Sequence, residues 1–593
     1  MQEMQTFHIL LKSLLVHFEK SLVALRVLQS SSSSFITGLY LNLGIAHDAI
    51  NNFSKAIHCY DFCIEDSSDS LTATKALVSK GRALSKMERF DDALQCLSDA
   101  LRKDHTATKP SIEADVLVAK GQVADLMKNN KAAMDSYLSA LEVYRTLPKS
   151  EEDVANTLTE IANSHLRHKR YEEATCYANE ALDIRQKKYG LEHFLTAESI
   201  YCKALILFGK NEYEQALSCL ELALYNFKKT KASNLLKSNT LYMIGCAQES
   251  LGRIDQAEES LMRATRLNEK HPETCRKDAS RVLRRLGVVF KVKGEYSKSR
   301  KHLKKSLLLS VPEFGPHHFE VAQTHEFLAE TLCLEGNYEE ALQHVQVALD
   351  VYNKTGNSTI LGKCYCLKGV ILDQADKDPE LAIKAYNLSR DHYESNSEVQ
   401  QDYMGFASTM FKLATLQDRN QFYSSATKNY IKANDLYKIV LKSGETLYSA
   451  DIFERLANMK GRQKKYEKAC VLLEQTLKIR VQILGMEHEA VAQALYSLGI
   501  IFSKRNEIDA ALKALTDCLS IRQLKLGFDA VEIADTLHAI GQCLGNSGDY
   551  QNALNLWNDA FEIYRKHGNQ TKLNEIKRDL DLGLRLSEGD QND

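Results

Sequence analysis

The sequence predicts an all-α solenoid of about 13 stacked helical hairpins, and three observations carry that expectation. The first is a period. Thr476-Leu477, an Ile-Arg pair, Gly485, Leu498-Gly499 and Ala511 pass again as Cys518-Leu519, an Ile-Arg pair, Gly527, Ile540-Gly541 and Ala553. Gly499 and Gly541 stand 42 residues apart, and repetition at this period marks supersecondary units that stack into an array. The second is its extent. A Gly or Ala recurs at 44, 81, 121, 162, 204, 245, 287, 329, 369, 414, 457, 499 and 541, and an Ala follows 12 residues later in nearly every case. Ser299 fills that slot in one unit, and Ala382 arrives one place late in another. The third is apolar spacing within a unit. Val491, Leu495, Leu498 and Phe502 form one helical stripe; Ile508, Ala511, Leu515 and Leu519 form a second, across the polar turn 503–506. Gly499 with Ala511, and Gly541 with Ala553, are the expected contacts between the two helices. Axes at the close end of the usual range of about 8–10 Å leave no room there for a bulky side chain.

In chain order, residues 1–35 carry a stripe of Phe7, Leu11, Leu14, Phe18, Leu22 and Leu25. It reads either as a degenerate first repeat, since His17-Phe18-Glu19-Lys20-Ser21 echoes Lys465-Tyr466-Glu467-Lys468-Ala469, or as a short coiled coil for self-association. Lys12, His17, Glu19, Lys20 and Arg26 interrupt it, which argues against a signal peptide or a membrane span. The serines at 30–34 form a link. The solenoid then occupies 36–568. Pro110, Pro148, Pro272, Pro312 and Pro316 fall between repeats and Pro379 in a turn, so none interrupts an expected helix. The turn 374–380 holds the extra residue that delays Ala382, and the long link 389–404 is a place for the stack to bend. Leu573, Ile576, Leu580 and Leu584 mark a capping helix over 569–586, followed by a disordered tail, 587–593.

Composition excludes several function classes. A net charge of −2 with 26% charged residues gives no global field for nucleic acid or an anionic membrane. The 14 cysteines include no CxxC pair, and Cys63 and Cys518 stand where other repeats have Ala; they read as reduced packing residues of a cytoplasmic or nuclear protein. Gly209-Lys210 lacks the rest of a phosphate loop. His165 with His168, and His317, His318 with His325, have no companions at metal-ligand spacing and read as surface residues. No strand is available to hold a strained nucleophile turn. The expectation is no enzyme, no cofactor and no metal.

The repeated features resemble the tetratricopeptide repeat family over about 36–568. They are the small residue of the first helix, an aromatic nine residues later (Phe53, Phe90, Tyr171, Tyr213, Tyr296, Tyr338, Tyr466, Tyr550), the small residue of the second helix, and Ala100, Ala140, Ala181, Ala223, Ala264, Ala348, Ala433 and Ala560 beyond it. Gly190, Gly315, Gly485 and Gly527 each precede the next small residue by 14, within Tyr-Gly-Leu-Glu-His, Phe-Gly-Pro-His-His and Leu-Gly-Met-Glu-His in three cases. These links are similar to the long-linked repeats of kinesin light chains.

The resemblance implies a right-handed superhelix whose first helices line a groove for a peptide or a partner's helix. It also places the residue after the small one on that groove, where an amide can hold a ligand backbone: Gln122, Asn163, Asn458 and Gln542. Arg167 and Arg462 follow two of these amides by four residues, on the same face. Arg281, Arg284 and Arg285 form a cluster suited to carboxylates. A solvated helix face is the plain alternative for each group. The expected function is a protein-binding scaffold; the alternative is a kinesin-light-chain-like cargo adaptor with a kinesin heavy chain as partner. Against the latter, about 13 repeats is roughly twice that family's number, and no long heptad region precedes them. The lysine, asparagine and arginine clamp of chaperone-binding members is not reproduced in any one repeat.

Overall fold

In a computed structural model, residues 33–49, 52–66, 70–102, 110–270, 275–376, 378–395, 402–442 and 444–589 are described, and every regular element among them is an α-helix. The stripe of residues 7–25 and the link serines 30–32 lie outside the described residues. The chain divides into two compact units, Met1–Gly315 and Pro316–Asp593.

Among the described residues the first unit contains seven hairpins. α1 (Ser33–Ala49) pairs with α2 (Phe53–Asp66), α3 (Ser70–Lys86) with α4 (Phe90–Arg102), and α5 (Pro110–Leu126) with α6 (Asn130–Thr146). α7 (Glu151–Arg167) pairs with α8 (Tyr171–Tyr189), and α9 (Phe194–Gly209) with α10 (Tyr213–Lys229). α11 (Asn234–Ser250) pairs with α12 (Ile254–Glu269), and α13 (Arg276–Val292) with α14 (Tyr296–Phe314).

The second unit contains six hairpins and a final helix. Its pairs are α15 (Phe319–Leu334) with α16 (Tyr338–Thr355), α17 (Ser358–Gln374) with α18 (Pro379–Glu394), and α19 (Tyr403–Arg419) with α20 (Tyr423–Leu441). α21 (Leu447–Arg462) follows with α22 (Tyr466–Leu484), α23 (Glu489–Lys504) with α24 (Ile508–Leu526), and α25 (Val531–Asn546) with α26 (Tyr550–Lys566). α27 (Gln570–Gly589) packs on α26 and touches α25, the place a further first helix would take. It buries Leu573 and Ile576 but leaves Leu584 49% exposed.

One kind of turn closes most of the described hairpins. Seven residues after the small residue, the backbone is left-handed at Gly252, Gly294, Gly336 and Gly548, and also at Glu88, Lys128, Lys169, Asn211, Asp376, Gln421, Lys464 and Asn506. The next N–H returns to a carbonyl five residues upstream, as from Arg89 to Leu84 at 3.1 Å and from Lys465 to Lys460 at 2.9 Å. This satisfies carbonyls that the helix end would otherwise strand. The aromatic that the repeat pattern places two residues later then opens the second helix at Phe53, Phe90, Tyr171, Tyr213, Tyr296, Tyr338, Tyr466 and Tyr550.

The small residues sit where the two helices of a hairpin meet. A Cβ on Gly499 would lie 2.6 Å from Leu515 Cγ and 3.4 Å from the Ala511 carbonyl oxygen. A Cβ on Gly541 would lie 2.4 Å from Trp557 Nε1, and Ala511 and Ala553 are fully buried. The residue that demands a glycine is therefore the bulky one 16 positions on, with the alanine backbone behind it. Side chains on a helix lean toward its amino terminus, so Leu515 covers the turn that Ala511 begins.

Several local expectations need correction: Pro110 and Pro379 open α5 and α18, at a position where proline is tolerated, and residues 33–34 and 587–589 lie within α1 and α27 rather than in a link and a tail. Pro312 lies inside α14, in its last turn, rather than between repeats. Its ring leaves the Leu308 carbonyl without an N–H, on an exposed stretch of the helix where Leu308 is 74% exposed. Ser389 belongs to α18, where it is buried and donates to the Gly362 carbonyl at 2.6 Å, so that link begins only after Glu394.

The long links owe their form to three residue types. Gly190, Gly315, Gly485 and Gly527 take φ of 80°, 84°, 86° and 79°, ending a helix in backbone that other residues rarely adopt. His193, His318 and His488 then accept the N–H two residues ahead through Nδ1, at 3.3, 3.1 and 3.1 Å. They cap the next helix, and His165 is buried in a first helix, so these histidines are structural rather than free surface groups. Five residues before three of those glycines stand Arg185, Arg480 and Arg522, each 5% exposed or less. Each donates forward to a carbonyl of the next first helix, at Leu195 (3.2 Å), Ala490 (2.9 Å) and Glu532 (2.8 Å). Each also donates back to the preceding first helix, at Asn156 (2.5 Å), Asp451 (2.8 Å) and Gln493 (2.9 Å).

Within each unit the first helices of nearly all successive hairpins come within packing distance of one another. Among the described residues the second helices do not pack in this way. The first helices therefore form the tighter side of each stack.

Candidate functional site

On that tighter side of the first unit, a groove of about 560 Å³ opens across α5, α7 and α9. Side chains six places before, three places before and one place after the small residue reach it from each helix. They are Asp115, Val118 and Gln122; Asn156, Thr159 and Asn163; and Glu198, Tyr201 and Leu205. The 3.6-residue helical turn puts those offsets on one face.

Gln122 and Asn163 thus stand together in one groove. Gln122 Nε2 donates to Glu160 Oε1 at 3.0 Å, and Asn163 Oδ1 accepts the Cys202 thiol at 3.4 Å. Tyr144 donates its hydroxyl to Asp115 at 2.7 Å. Burial raises the pKa of Asp153 above the ordinary carboxyl range, and the neighbouring Asp115 and Glu152 carboxylates add to the effect. Burial likewise raises Glu198, while the Arg185 guanidinium pulls the other way. Buried Cys202 has its thiol pushed up to about 12, chiefly by desolvation, which leaves it a packing residue rather than a nucleophile.

The other sequence candidates lie elsewhere. Arg167 pairs with Asp125 of the preceding first helix, a carboxylate 3% exposed that also accepts from Ser164 at 2.7 Å and Tyr137 at 3.2 Å. Arg462 pairs in the same way with Asp418. These belong to a recurring rung between successive first helices, seen again in Lys86 with Asp48 at 2.9 Å and Arg419 with Asp373 at 2.6 Å. Asn458 is exposed on α21. Gln542 donates to Asp579 of α27 at 2.9 Å, beneath the final helix. Arg285 is held by Glu249 at 2.7 Å, and Arg281 stands 3.9 Å from Asp278 on its own helix.

Sequence reasoning about amides missed Asn156, Glu160, Glu198 and Tyr201. The signal was present: three of them stand six, two or three residues before an already recognised small residue, and Glu198 six before Ala204. Among the described residues, no group of three or more His, Cys, Asp or Glu side chains could hold a metal ion, and no helix is long and apolar enough to cross a membrane.

A model described as tetratricopeptide repeat matches residues 195–270, 278–354, 320–395 and 448–524, and two more with the same description match 154–195 and 78–151. The chain belongs to the tetratricopeptide repeat family. As a tetratricopeptide repeat protein it is similar to BtubC (BKLC) from P. vanneervenii at 18% identity, over 40% of this chain and 92% of that one, with a TM-score of 0.34. It is similar to a Podosopora anserina putative kinesin light chain with nearly identical TPR-like repeats at 16% identity, over 35% and 99%, with a TM-score of 0.31. A third similarity is to the apo form of RapI, at 16% identity over 61% and 98%, with a TM-score of 0.45. None of these bears on what this chain binds. No curated protein matches it.

Proposed function

We propose that this chain is a non-enzymatic adaptor that binds peptide segments or short helices of other proteins on its first helices, with the α5, α7 and α9 groove as the main seat. The observation that carries the reading is the convergence of Gln122, Asn156 and Asn163 on one groove of about 560 Å³. Amides offer both donors and acceptors, so a row of them on successive helices suits the alternating N–H and C=O groups of an extended backbone. Tetratricopeptide repeats bind proteins as a general matter, which supports the reading.

The test compares proteins captured from lysate by the full chain and by a Gln122→Ala/Asn163→Ala variant whose melting is unchanged. Partners seated in the groove should drop out together. A kinesin heavy chain among the partners lost would add transport of cargo to the role. Retention of every partner by the variant would falsify the groove as the seat.

A further inference from the structure

We infer that the α5, α7 and α9 groove takes an extended protein segment that presents a cationic side chain, arginine in preference to lysine. This rests on the reading of the groove as a peptide seat and adds the sign of the charge it selects.

The lining carries four carboxylates, Asp115, Asp153, Glu160 and Glu198, against two guanidinium groups, Arg82 and Arg185. Arg185 is not available to balance them. Its side chain is 3% exposed, and its nitrogens are engaged by Glu152 at 3.2 Å, Asn156 at 2.5 Å, Ser199 at 2.9 Å and the Leu195 carbonyl. Glu152 therefore adds a fifth acid beside the groove while occupying the one buried cation. The whole chain has a net charge of only −2, so this excess is local.

Two observations besides charge point to a ligand of this kind. The amides of Gln122 and Asn163 flank the acids, so a backbone and a side chain can be read in one place. Tyr201 lines the same groove, so an aromatic side chain on which a guanidinium can stack is part of its wall. Like charges crowded into a partly desolvated cleft focus a negative potential there, and an entering cation relieves the crowding. Arginine has the advantage because its planar fork engages a carboxylate through two parallel bonds and stacks on an aromatic ring. A guanidinium at Glu160 would also release Gln122 Nε2 from its 3.0 Å bond, freeing that amide for the ligand backbone.

The experiment uses the full chain and fluorescein-labelled nonapeptides of Gly and Ser with two central residues, Arg, Lys, Glu or Gln, read by anisotropy. The expected order of affinity is Arg, then Lys, with Gln and Glu at least tenfold weaker than Arg. Asp153→Asn/Glu198→Gln should weaken the Arg peptide about tenfold or more. Both substitutions preserve shape, so melting should hold. Added salt should weaken the Arg peptide and leave the Gln peptide unchanged. Arg-peptide affinity indifferent to the double variant overturns the inference, as does failure of the Arg peptide to bind at concentrations on the order of 1 mM. A Glu peptide that binds best, and loses affinity on Gln122→Ala/Asn163→Ala, overturns the charge assignment while leaving the peptide seat standing. Lysate partners that ignore the amide variant remove the seat itself.

Discussion

Replacing Gly541 by Ala places a single methyl where the structure has no room for one. Its Cβ would lie 2.4 Å from Trp557 Nε1, 2.6 Å from Cδ1 and 3.1 Å from Cε2. The indole has little freedom to retreat. It is 5% exposed, it donates to the His538 carbonyl at 3.3 Å, and Gly545 and Gly583 lie against its far edge. Overpacking of a filled core costs about 1–3 kcal/mol. Losing the indole hydrogen bond adds about 1 kcal/mol, and the better helix propensity of Ala returns about 1 kcal/mol. The net expectation is a destabilisation of about 1–3 kcal/mol, local to the last hairpin and α27. Trp557 is the chain's single tryptophan, so its emission in a urea titration reports on this hairpin alone. The transition should move to lower urea, with emission red-shifted before it as the ring is displaced. An unchanged midpoint with unchanged emission would refute the account of the glycine. Ala457 opposite Leu473 and Ala414 opposite Tyr430 carry a methyl at the equivalent place, so it is how the opposing side chain lies, not its size alone, that decides whether a Cβ fits.

Three further outcomes follow from features already described. Arg480→Met should lower stability by about 3–5 kcal/mol, because the buried Arg480 partners Asp451 and Glu454 and bridges two hairpins; a thermal melt that does not move would remove the clamp. Lys464→Gly should raise stability by about 0.5–1 kcal/mol in denaturant titration, since a left-handed non-glycine residue is strained there, less the entropy glycine gives up. The third concerns acid. His325 lies 2.8 Å from His344, and burial first, then that neighbour, lowers its pKa from 6.5 to about 4. The folded state thus resists a proton that the unfolded chain accepts. Stability is complete above about 6.5 and is lost progressively as pH falls toward about 4. His325→Asn should flatten the pH dependence of the melting temperature in that window; equal slopes for both chains would reject the assignment.

The fold was legible because every unit repeats the same constraint. A small residue, an aromatic and a second small residue at fixed offsets can be matched across hairpins even where one hairpin is degenerate. The contact itself was only half legible. Twelve residues separate Gly499 from Ala511, and that spacing is visible in the sequence, but Leu515 closes on the glycine because of how side chains lean along a helix. The groove was harder to read. Gln122 and Asn163 could be placed on a face, yet nothing local to Arg167 says that its partner is Asp125 one repeat earlier rather than a ligand. Partners chosen across 42 residues of sequence become visible only when successive first helices are set side by side. The Ile-Arg pair is a similar case: it was seen as a recurring motif, while its burial at Arg185, Arg480 and Arg522 was not.

The rungs between neighbouring first helices carry one more implication. A half-exposed ion pair such as Arg419 with Asp373 is worth no more than about 1 kcal/mol, too little to hold a hairpin in place. It is enough to bias the angle at which one hairpin leans on the next, and small tilts sum along a stack. From α7 to α9 the rung is missing, with Leu166 and Gly209 at its two positions, as it is from α3 to α5, with Ser85 and Leu126, so within the groove only the step from α5 to α7 carries one. Ionic strength should therefore alter the tilt between α5 and α7 while leaving the step from α7 to α9 to Arg185 and apolar packing.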